Sequence, residues 1–213
     1  MIINILAGGP DEYLPELSGY QTEDSIWVGV DRGVFTLLNN GILPSIAFGD
    51  FDSVTPSELQ YIHSQVEEVK TFKPEKDEPD MELALNWAIK QNPENIRIFA
   101  GTGGRLDHFF GNIQLLLQTI EKDINIELVD KQNIIIAKRA GTYQLQKNHE
   151  KKYVSFIPVS GSVSNLTLSG FKYPLKNRHI PFHSTLCISN ELINDFGTFS
   201  FTEGILLVIR SSD

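Results

Sequence analysis

The stretch Ile46-Ala47-Phe48-Gly49-Asp50-Phe51-Asp52-Ser53 decides how this chain is interpreted. Its three apolar residues predict the end of a buried strand, and two carboxylates follow the glycine. Ligands of open α/β sheets collect at the carboxyl ends of the strands. Because alternate residues of an extended segment point the same way, we expect Asp50 and Asp52 to face one pocket.

A pair of carboxylates in one pocket predicts a bound cation, because the two charges repel each other unless a cation or a proton lies between them. Mg²⁺ is usually held by one or two carboxylates together with the phosphates of a substrate. Asp50 and Asp52 are therefore candidate Mg²⁺ ligands. The alternative interpretation is an acidic turn that caps the next helix, since Asp and Ser are common N-cap residues.

The first part of the chain, residues 1–131, alternates between predicted strands and helices. Besides the strand that ends at Phe48, strands are predicted at residues 2–6, 26–30, 66–72, 96–100 and 124–129. Helices are predicted at residues 34–40, from Thr55-Pro56-Ser57-Glu58 onward, at 81–90, and after His108 to residue 121. Thr55 and Glu58 have the capping-box pattern, with proline at the first helical position. The alternation predicts an α/β domain with a mostly parallel, Rossmann-like sheet.

The second part, residues 132–213, shows no convincing helix. Short strand-like runs separated by turn residues are predicted at 134–138, 142–146, 153–158, 163–169, 184–189, 197–201 and 205–210. This spacing is typical of a β-sandwich or a barrel. We therefore predict a second domain that is entirely β.

Asp80 follows a charged segment, residues 73–79, whose prolines prevent regular structure throughout. It lies at or near the start of the predicted helix 81–90, where the helix dipole favours a carboxylate. Asp80 is therefore either a helix cap or a further acidic ligand.

The loop Gly101-Thr102-Gly103-Gly104-Arg105 connects a predicted strand to a predicted helix. Such a loop, with a helix N-terminus behind it, is an anion site, and the fork of Arg105 suits phosphate oxygens. A preceding glycine pair, Gly8-Gly9, does not complete a dinucleotide fingerprint. The alternative is a simple helix start with Arg105 and Asp107 solvated and His108 making structural hydrogen bonds.

Several of these side chains are predicted to share one edge of the sheet, namely Asp31, Asp50, Asp52, Asp80 and Arg105, together with Gly101 to Gly104. An acidic cluster for metal and a glycine-and-arginine cluster for phosphate are what phosphoryl or pyrophosphoryl transfer requires, because such enzymes position groups and neutralise charge. In the second part, Ser189-Asn190-Glu191 could bind the polar edge of a substrate or could be only a turn.

The composition excludes several classes of protein. The 213 residues include 18 basic and 27 acidic ones, a net charge of −9, which argues against general nucleic-acid binding. No segment approaches the roughly 20 apolar residues of a membrane span. A single cysteine and the absence of a signal segment predict a cytoplasmic protein.

Taken together, the motifs resemble the thiamin pyrophosphokinase family, whose members move pyrophosphate from ATP to thiamin and release AMP. The matching stretches run in order through nearly the whole chain, at residues 49–53, 76–80, 101–108, 170–175, 188–191 and 203–208. The chain departs from the family at Pro79, where threonine is usual. Both of its tryptophans lie in the first part, whereas some members place a C-terminal-domain tryptophan against the pyrimidine.

The resemblance implies an ATP- and Mg²⁺-binding catalytic domain at residues 1–131 and a thiamin-binding β-sandwich at residues 132–213. It also implies a homodimer whose cleft lies between the N-terminal domain of one subunit and the C-terminal domain of the other. The residue roles that follow are Asp50, Asp52 and Asp80 for metal and catalysis, Asp31 in the same cleft, Gly101 to Arg105 with Asp107 and His108 for ATP, and Ser189 and Asn190 for thiamin.

Two other functions stay open from the residues alone. Asp50-Phe51-Asp52-Ser53-Val54 also resembles the nucleophile motif of haloacid-dehalogenase-type phosphohydrolases, in which Asp50 would attack phosphorus and Asp52 would act as acid and base. That hypothesis leaves the glycine-rich loop and the β domain unexplained. A nucleotide-binding module without catalysis would keep the loop but would not need clustered aspartates.

Overall fold

The computed structural model describes residues 1–71, 78–122 and 124–213 of the chain. The described chain divides into two compact units, Met1–Lys131 and Gln132–Asp213. We call them the α/β unit and the β unit. The predictions for residues 72–77 lie outside the described residues.

Within its described residues, the α/β unit contains six parallel strands and four α-helices. The strands are β1 (Ile2–Leu6), β2 (Ser25–Val30), β3 (Ile46–Gly49), β4 (Val69–Thr71), β5 (Asn95–Phe99) and β6 (Asn125–Val129). The helices are α1 (Arg32–Asn39), α2 (Pro56–Gln65), α3 (Asp80–Lys90) and α4 (Leu106–Gln118), and short 3₁₀ turns cover Asp11–Tyr13 and Leu17–Tyr20. The strand order is β6-β5-β1-β2-β3-β4, with every pairing parallel. The predicted parallel α/β sheet is confirmed.

Helix α2 begins as its sequence predicts. Thr55 accepts a hydrogen bond from the Glu58 N–H at 3.3 Å, and the Glu58 carboxylate accepts one from the Thr55 N–H at 2.7 Å. Pro56 occupies the first helical position. Two of the unsatisfied donors at the helix start therefore gain acceptors, and this fixes where the chain re-enters regular structure after Asp52.

One side of the sheet is closed by α1 and α2 over strand β3. Val34 from α1, Ala47 from β3 and Ile62 from α2 are buried together with Phe51 and Val66. Phe51 therefore lies in the core although its sequence neighbours are aspartates. Burying an aromatic side chain at this point anchors the backbone of the segment that carries both carboxylates.

The β unit is built from antiparallel strands. They are β7 (Asn133–Gln146), β8 (Tyr153–Pro158), β9 (Val163–Ser169), β10 (Leu175–Ile180), β11 (Asn190–Glu191) and β12 (Phe196–Ser211). Strand β12 pairs with β7 over most of its length, with β9 through residues 198–203, and with β8 through residues 206–211. Phe156, Phe171 and Phe199 form the aromatic part of its core, with ring centroids 5.1 and 5.5 Å apart. The predicted β-rich domain is confirmed.

In the β unit, two predicted breaks between strands and one predicted strand are wrong. Runs 134–138 and 142–146 belong to one strand, β7, and runs 197–201 and 205–210 belong to β12, which continues through a register irregularity between Phe201 and Ile205. Residues 184–189 form turns, not a strand. Strand β10 was missed because it pairs with β9 alone, and most of its side chains are exposed and polar, so it lacks an apolar alternation.

Among the helices that the structure describes, none combines the length and the apolar character needed to cross a membrane.

Candidate active site

Three residues with left-handed backbones follow strands of the parallel sheet. Asp31 comes directly after β2 (φ 49°), Ala100 directly after β5 (φ 53°), and Phe51 two residues after β3 (φ 58°). Non-glycine residues rarely adopt such angles, and each costs about 1–3 kcal/mol. Strain of this kind concentrates where function requires a particular geometry. It marks the carboxyl edge of the sheet as the candidate site.

A group of three carboxylates lies at this edge. One oxygen atom from each of Asp31, Asp50 and Asp80 lies within 4.8 Å of the others, and all three residues are partly buried. The Asp31 N–H donates to the Phe48 carbonyl at 2.8 Å, which ties the start of α1 to the end of β3. A Cβ atom at residue 49 would collide with Oδ1 of Asp31, so only glycine lets the two segments approach this closely.

Asp52 lies outside this group of three. The expectation that Asp50 and Asp52 face one pocket assumed an extended segment, but the left-handed Phe51 between them turns the chain. The side chain of Phe51 enters the core, and the N–H of Asp52 donates to Oδ1 of Asp50 at 3.1 Å. Asp52 is exposed, although it still lines the neighbouring cavity. Asp31 is the residue that accompanies Asp50 and Asp80.

The glycine-rich loop joins β5 to α4 and is held by buried side chains. Asn112 of α4 donates its side-chain amide to the Gly101 carbonyl at 2.9 Å. Thr102 donates its hydroxyl to Oδ2 of Asp130 at 2.7 Å, and both residues are buried. A Cβ atom at residue 101 would meet Leu128 and the Asn112 amide, so the loop packs against the core without room for a side chain there.

Arg105 and Asp107 form an exposed bidentate ion pair at the start of α4. Arg105 Nε donates to Oδ1 of Asp107 at 3.1 Å, and its Nη2 donates to Oδ2. The hydrogen bond from Arg105 lowers the pKa of the Asp107 carboxyl, and the same bond raises the pKa of the guanidinium. The fork of Arg105 is thus arranged for a planar pair of anionic oxygens, and it is paired here with the carboxylate of Asp107.

A cavity of about 630 Å³ lies along this edge of the α/β unit. It is lined by the predicted site residues Asp31, Asp52, Asp80, Gly101, Thr102, Gly104, Arg105 and His108. Asp50, Gly103 and Asp107 are not among its lining residues. Asp50 is next to the cavity because its carboxylate lies with those of Asp31 and Asp80, which do line it. Sequence reasoning missed other lining residues, chiefly the loop 7–11, Arg32 and Asn112. The pair Gly8-Gly9 was the available signal for that loop, but it is common to any tight turn.

Ser189 and Asn190 lie in the β unit, and much of their polar capacity is already used. Asn190 is 3% exposed; its Oδ1 accepts from the Tyr173 N–H at 3.0 Å and its Nδ2 donates to the Tyr173 carbonyl at 2.9 Å. Ser189 has a left-handed backbone (φ 57°), and its N–H donates to Oγ of Ser155 at 3.0 Å. Asn190 therefore holds the segment that presents the exposed Tyr173 ring, while the Ser189 side chain is exposed.

This fold and site define an α/β protein of the class that places its acidic groups and a glycine-rich loop with an arginine at the carboxyl ends of parallel strands, followed by an antiparallel β domain. Two family models match the chain. One describes the catalytic domain of thiamin pyrophosphokinase and matches residues 17–128; the other describes its vitamin B1 binding domain and matches residues 142–206. The chain belongs to the thiamin pyrophosphokinase family.

Individual relatives agree with the family models. Thiamine pyrophosphokinase of Bacillus subtilis strain 168 is 53% identical over 211 residues, covering 99% of each chain. The crystal structure of thiamine pyrophosphokinase from Bacillus subtilis superposes with a TM-score of 0.94 at 51% identity over 100% of both chains. That of thiamin pyrophosphokinase from Geobacillus thermodenitrificans gives 0.93 at 53% identity, over 100% of this chain and 98% of that one.

Proposed function

We propose that this chain catalyses the Mg²⁺-dependent transfer of the terminal pyrophosphoryl group of ATP to the hydroxyl of thiamin, which yields thiamin diphosphate and AMP. The observation that carries the proposal is one cavity lined by Asp31, Asp80, the glycine-rich loop and Arg105. Asp50 belongs with Asp31 and Asp80 because the three carboxylates lie together. Acidic and basic groups in one cleft suit a substrate that brings both phosphate and a metal ion.

The transfer conserves every atom of the two substrates. The hydroxyl oxygen of thiamin forms a bond to the β-phosphorus, while the bond between that phosphorus and the oxygen bridging to the α-phosphorus breaks. AMP leaves with the bridging oxygen, and the hydroxyl proton passes to a base or to water. The protein contributes positioning and charge neutralisation, which account for most of the catalysis in phosphoryl transfer.

The group of three carboxylates fits a hard divalent cation. Its three members offer oxygen donors within 4.8 Å of one another, and three like charges at that distance are destabilising without a cation. In the proposal, Asp31, Asp50 and Asp80 hold Mg²⁺, which supplies neutralisation of phosphate charge when bound. Asp52, which lines the cavity and hydrogen-bonds Asp50 through its backbone, stays in the proposed catalytic set.

ATP binding is assigned to the loop Gly101 to Gly104, Arg105, Asp107 and His108. The loop precedes the N-terminus of α4, where backbone N–H groups and the helix dipole favour anions. When ATP binds, Arg105 gives up its hydrogen bonds to Asp107 and donates to phosphate oxygens instead. His108, the residue after Asp107 in α4, lines the cavity. In this assignment, Asp107 keeps the arginine fork oriented until ATP arrives.

Thiamin recognition is assigned to the β unit through Ser189 and Asn190. The vitamin B1 binding family model covers this part of the chain, residues 142–206. Given its hydrogen bonds, Asn190 contributes by fixing the backbone around Tyr173, and Ser189 contributes its exposed hydroxyl. Residues 1–131 would thus serve ATP and metal, and residues 132–213 would serve thiamin.

We further propose a homodimer whose active site uses the α/β unit of one copy and the β unit of the other. The β unit exposes six large apolar side chains, each 50–61% accessible: Tyr173, Phe182, Leu186, Ile188, Ile193 and Phe196. Exposed apolar side chains mark interaction sites where they form a contiguous patch. The α/β unit has nine basic and 22 acidic residues, a net charge of −13, whereas the β unit has nine basic and five acidic ones, a net charge of +4. Opposite charges favour pairing between copies.

A cytoplasmic location completes the proposal. Cys187 is a buried free thiol and the chain's one cysteine, which suits a reducing compartment. Cell fractionation followed by immunoblotting is expected to recover the protein with cytosolic markers; recovery with extracellular markers would contradict this location.

One incubation tests the activity. Purified protein is mixed with ATP, Mg²⁺ and thiamin, and the products are separated by chromatography. AMP and thiamin diphosphate in equal amounts are expected. Inorganic phosphate with ADP would instead favour the aspartate-nucleophile hydrolase, and ATP binding without turnover would favour a regulatory module. A reaction without thiamin is the control, because it shows how much ATP the protein consumes on its own.

A further inference from the structure

We propose that Asn112 and Asp130 are positioning residues, which hold the glycine-rich loop in the conformation that binds the phosphates of ATP. The inference rests on the proposed function and deepens it. Asn112 belongs to α4, and Asp130 directly follows β6, so the two residues support the loop from two separate elements.

The first support acts through backbone carbonyl groups. The Ala100 carbonyl accepts from the Gly9 N–H at 3.1 Å, and the Gly101 carbonyl accepts from Nδ2 of Asn112 at 2.9 Å. In a trans peptide, the C=O of one residue and the N–H of the next point in opposite directions. The N–H of Gly101 is therefore directed away from Gly9, and the N–H of Thr102 is directed away from Asn112.

The second support acts through the Thr102 side chain. Its hydroxyl donates to Oδ2 of Asp130 at 2.7 Å, with Thr102 8% and Asp130 3% exposed. Hydrogen bonds to a carboxylate are stronger than bonds between neutral groups, and burial strengthens them further. This bond holds the hydroxyl against Asp130, so in the proposal Thr102 contributes to ATP binding through its backbone N–H and not through its side chain.

The hydrogen bonds from Asn112 and to Asp130 fix the orientation of consecutive backbone N–H groups in the loop before ATP binds. Ala100 has a positive φ of 53°, and turns that contain such a residue are where successive backbone N–H groups converge on an anion. Donors that are already oriented bind a charged group without reorganising. Loosening either support should therefore weaken the interaction with ATP and leave the interaction with thiamin unchanged.

The test compares two threonines that are equally buried. Thr102→Val removes the hydroxyl at nearly constant volume, and we expect the KM for ATP to rise roughly tenfold, the effect of one lost buried hydrogen bond to a charged group. The KM for thiamin should not change, and Thr102→Ser should restore the KM for ATP. Thr119→Val is the control, because Thr119 is 7% exposed and its hydroxyl bonds the Leu115 carbonyl of α4.

Two further variants keep the test decisive if Thr102→Val folds poorly. Asn112→Leu removes the other support at similar volume and should also raise the KM for ATP selectively. Asp130→Asn keeps the shape but removes the charge, and the effect of Thr102→Val should shrink in that background because the two residues act as a pair. ATP binding without thiamin, measured by calorimetry, should weaken in parallel.

Failure of the inference and failure of the function give different results. If the wild type turns over but Thr102→Val and Asn112→Leu behave like Thr119→Val, the positioning role is wrong. Equal increases in the KM for ATP and for thiamin would also overturn it, since they indicate general damage. A wild type that makes no thiamin diphosphate overturns the proposed function and this inference with it.

Discussion

Asp31 shows how a single residue is made available to the site. Its φ is positive (49°), it is the N-cap residue of α1, and its N–H donates to the Phe48 carbonyl of the neighbouring strand. These constraints place its carboxylate with those of Asp50 and Asp80. The strain at Asp31 is balanced by packing and hydrogen bonding around it, which is how strained residues persist at functional sites.

The group of three carboxylates leads to a prediction that distinguishes the role of Asp31 from that of Asp52. We expect Asp31→Asn to lower kcat about 100-fold and to raise the Mg²⁺ concentration needed for half-maximal rate, because one ligand charge is lost. Asp52→Asn should have a smaller effect on the Mg²⁺ requirement, since Asp52 is outside the group of three. Initial rates against Mg²⁺ concentration give both values. A larger shift in Mg²⁺ requirement for Asp52→Asn would reverse the assignment.

The arginine fork leads to a second prediction. Arg105→Lys keeps the charge but loses the planar pair of donors, so we expect the KM for ATP to rise about tenfold or more. Arg97→Lys is the matched control, because Arg97 of β5 is ion-paired with Glu127 at 3.6 Å and lies outside the cavity lining. Steady-state kinetics at varied ATP measure both variants. If the KM for ATP changed equally in both variants, Arg105 would be only a solvated residue at the start of α4.

At the level of elements, the approach of β3 to the start of α1 depends on Gly49. Adding a Cβ at this position would force Oδ1 of Asp31 to move, and the backbone angle (φ 155°) is one that side chains rarely adopt. We expect Gly49→Ala to lower the free energy of unfolding by roughly 1–3 kcal/mol and to lower activity as well. Urea unfolding followed by circular dichroism measures the change.

Gly111 supplies the opposite case within α4. A Cβ there would meet nothing within 4 Å, and the residue lies in the helix interior. Gly111→Ala should therefore raise the free energy of unfolding by about 0.5–1 kcal/mol. If both substitutions changed stability in the same direction, the close approach at Gly49 would not be the cause of its effect.

The same elements show what the sequence can predict. The parallel strands, the start of α2 and the strand-loop-helix around residues 96–118 have local signals, such as apolar runs, a capping box and glycines between strand and helix. The conformation of Phe51 has no such signal, because aromatic residues seldom adopt left-handed angles. Because of that one residue, Asp52 lies outside the group of three carboxylates. The third position belongs to Asp31, which directly follows β2.

The exposed strand β10 illustrates a different limit. Its sequence, Leu175–Ile180, contains lysine, asparagine, arginine and histidine, and four of its six residues are exposed. Polar and charged residues at a sheet edge prevent unwanted pairing with other chains. The features that protect an edge strand thus remove the alternation by which a strand is predicted.

For the whole molecule, the proposed shared active site is tested by complementation. Asp50→Asn is expected to disable the proposed metal site of the α/β unit, and Ser189→Trp is expected to block the proposed thiamin site in the β unit. Mixed under conditions of subunit exchange, the two inactive proteins should regain activity, because a heterodimer has one cleft with neither substitution. Native mass spectrometry confirms that exchange has occurred. Exchange without any activity would mean that each site is built within one chain.

The placement of Cys187 and the tryptophans gives each half of the chain its own optical or chemical reporter. Trp27 and Trp87 belong to the α/β unit, whereas Cys187, 4% exposed, belongs to the β unit, and burial raises the pKa of its thiol. Tryptophan fluorescence therefore follows melting of the first half, and labelling of the thiol by a disulfide reagent follows opening of the second. In a urea titration, coincident midpoints from the two reporters would show that the halves unfold as one cooperative system, and separate midpoints would show which half yields first.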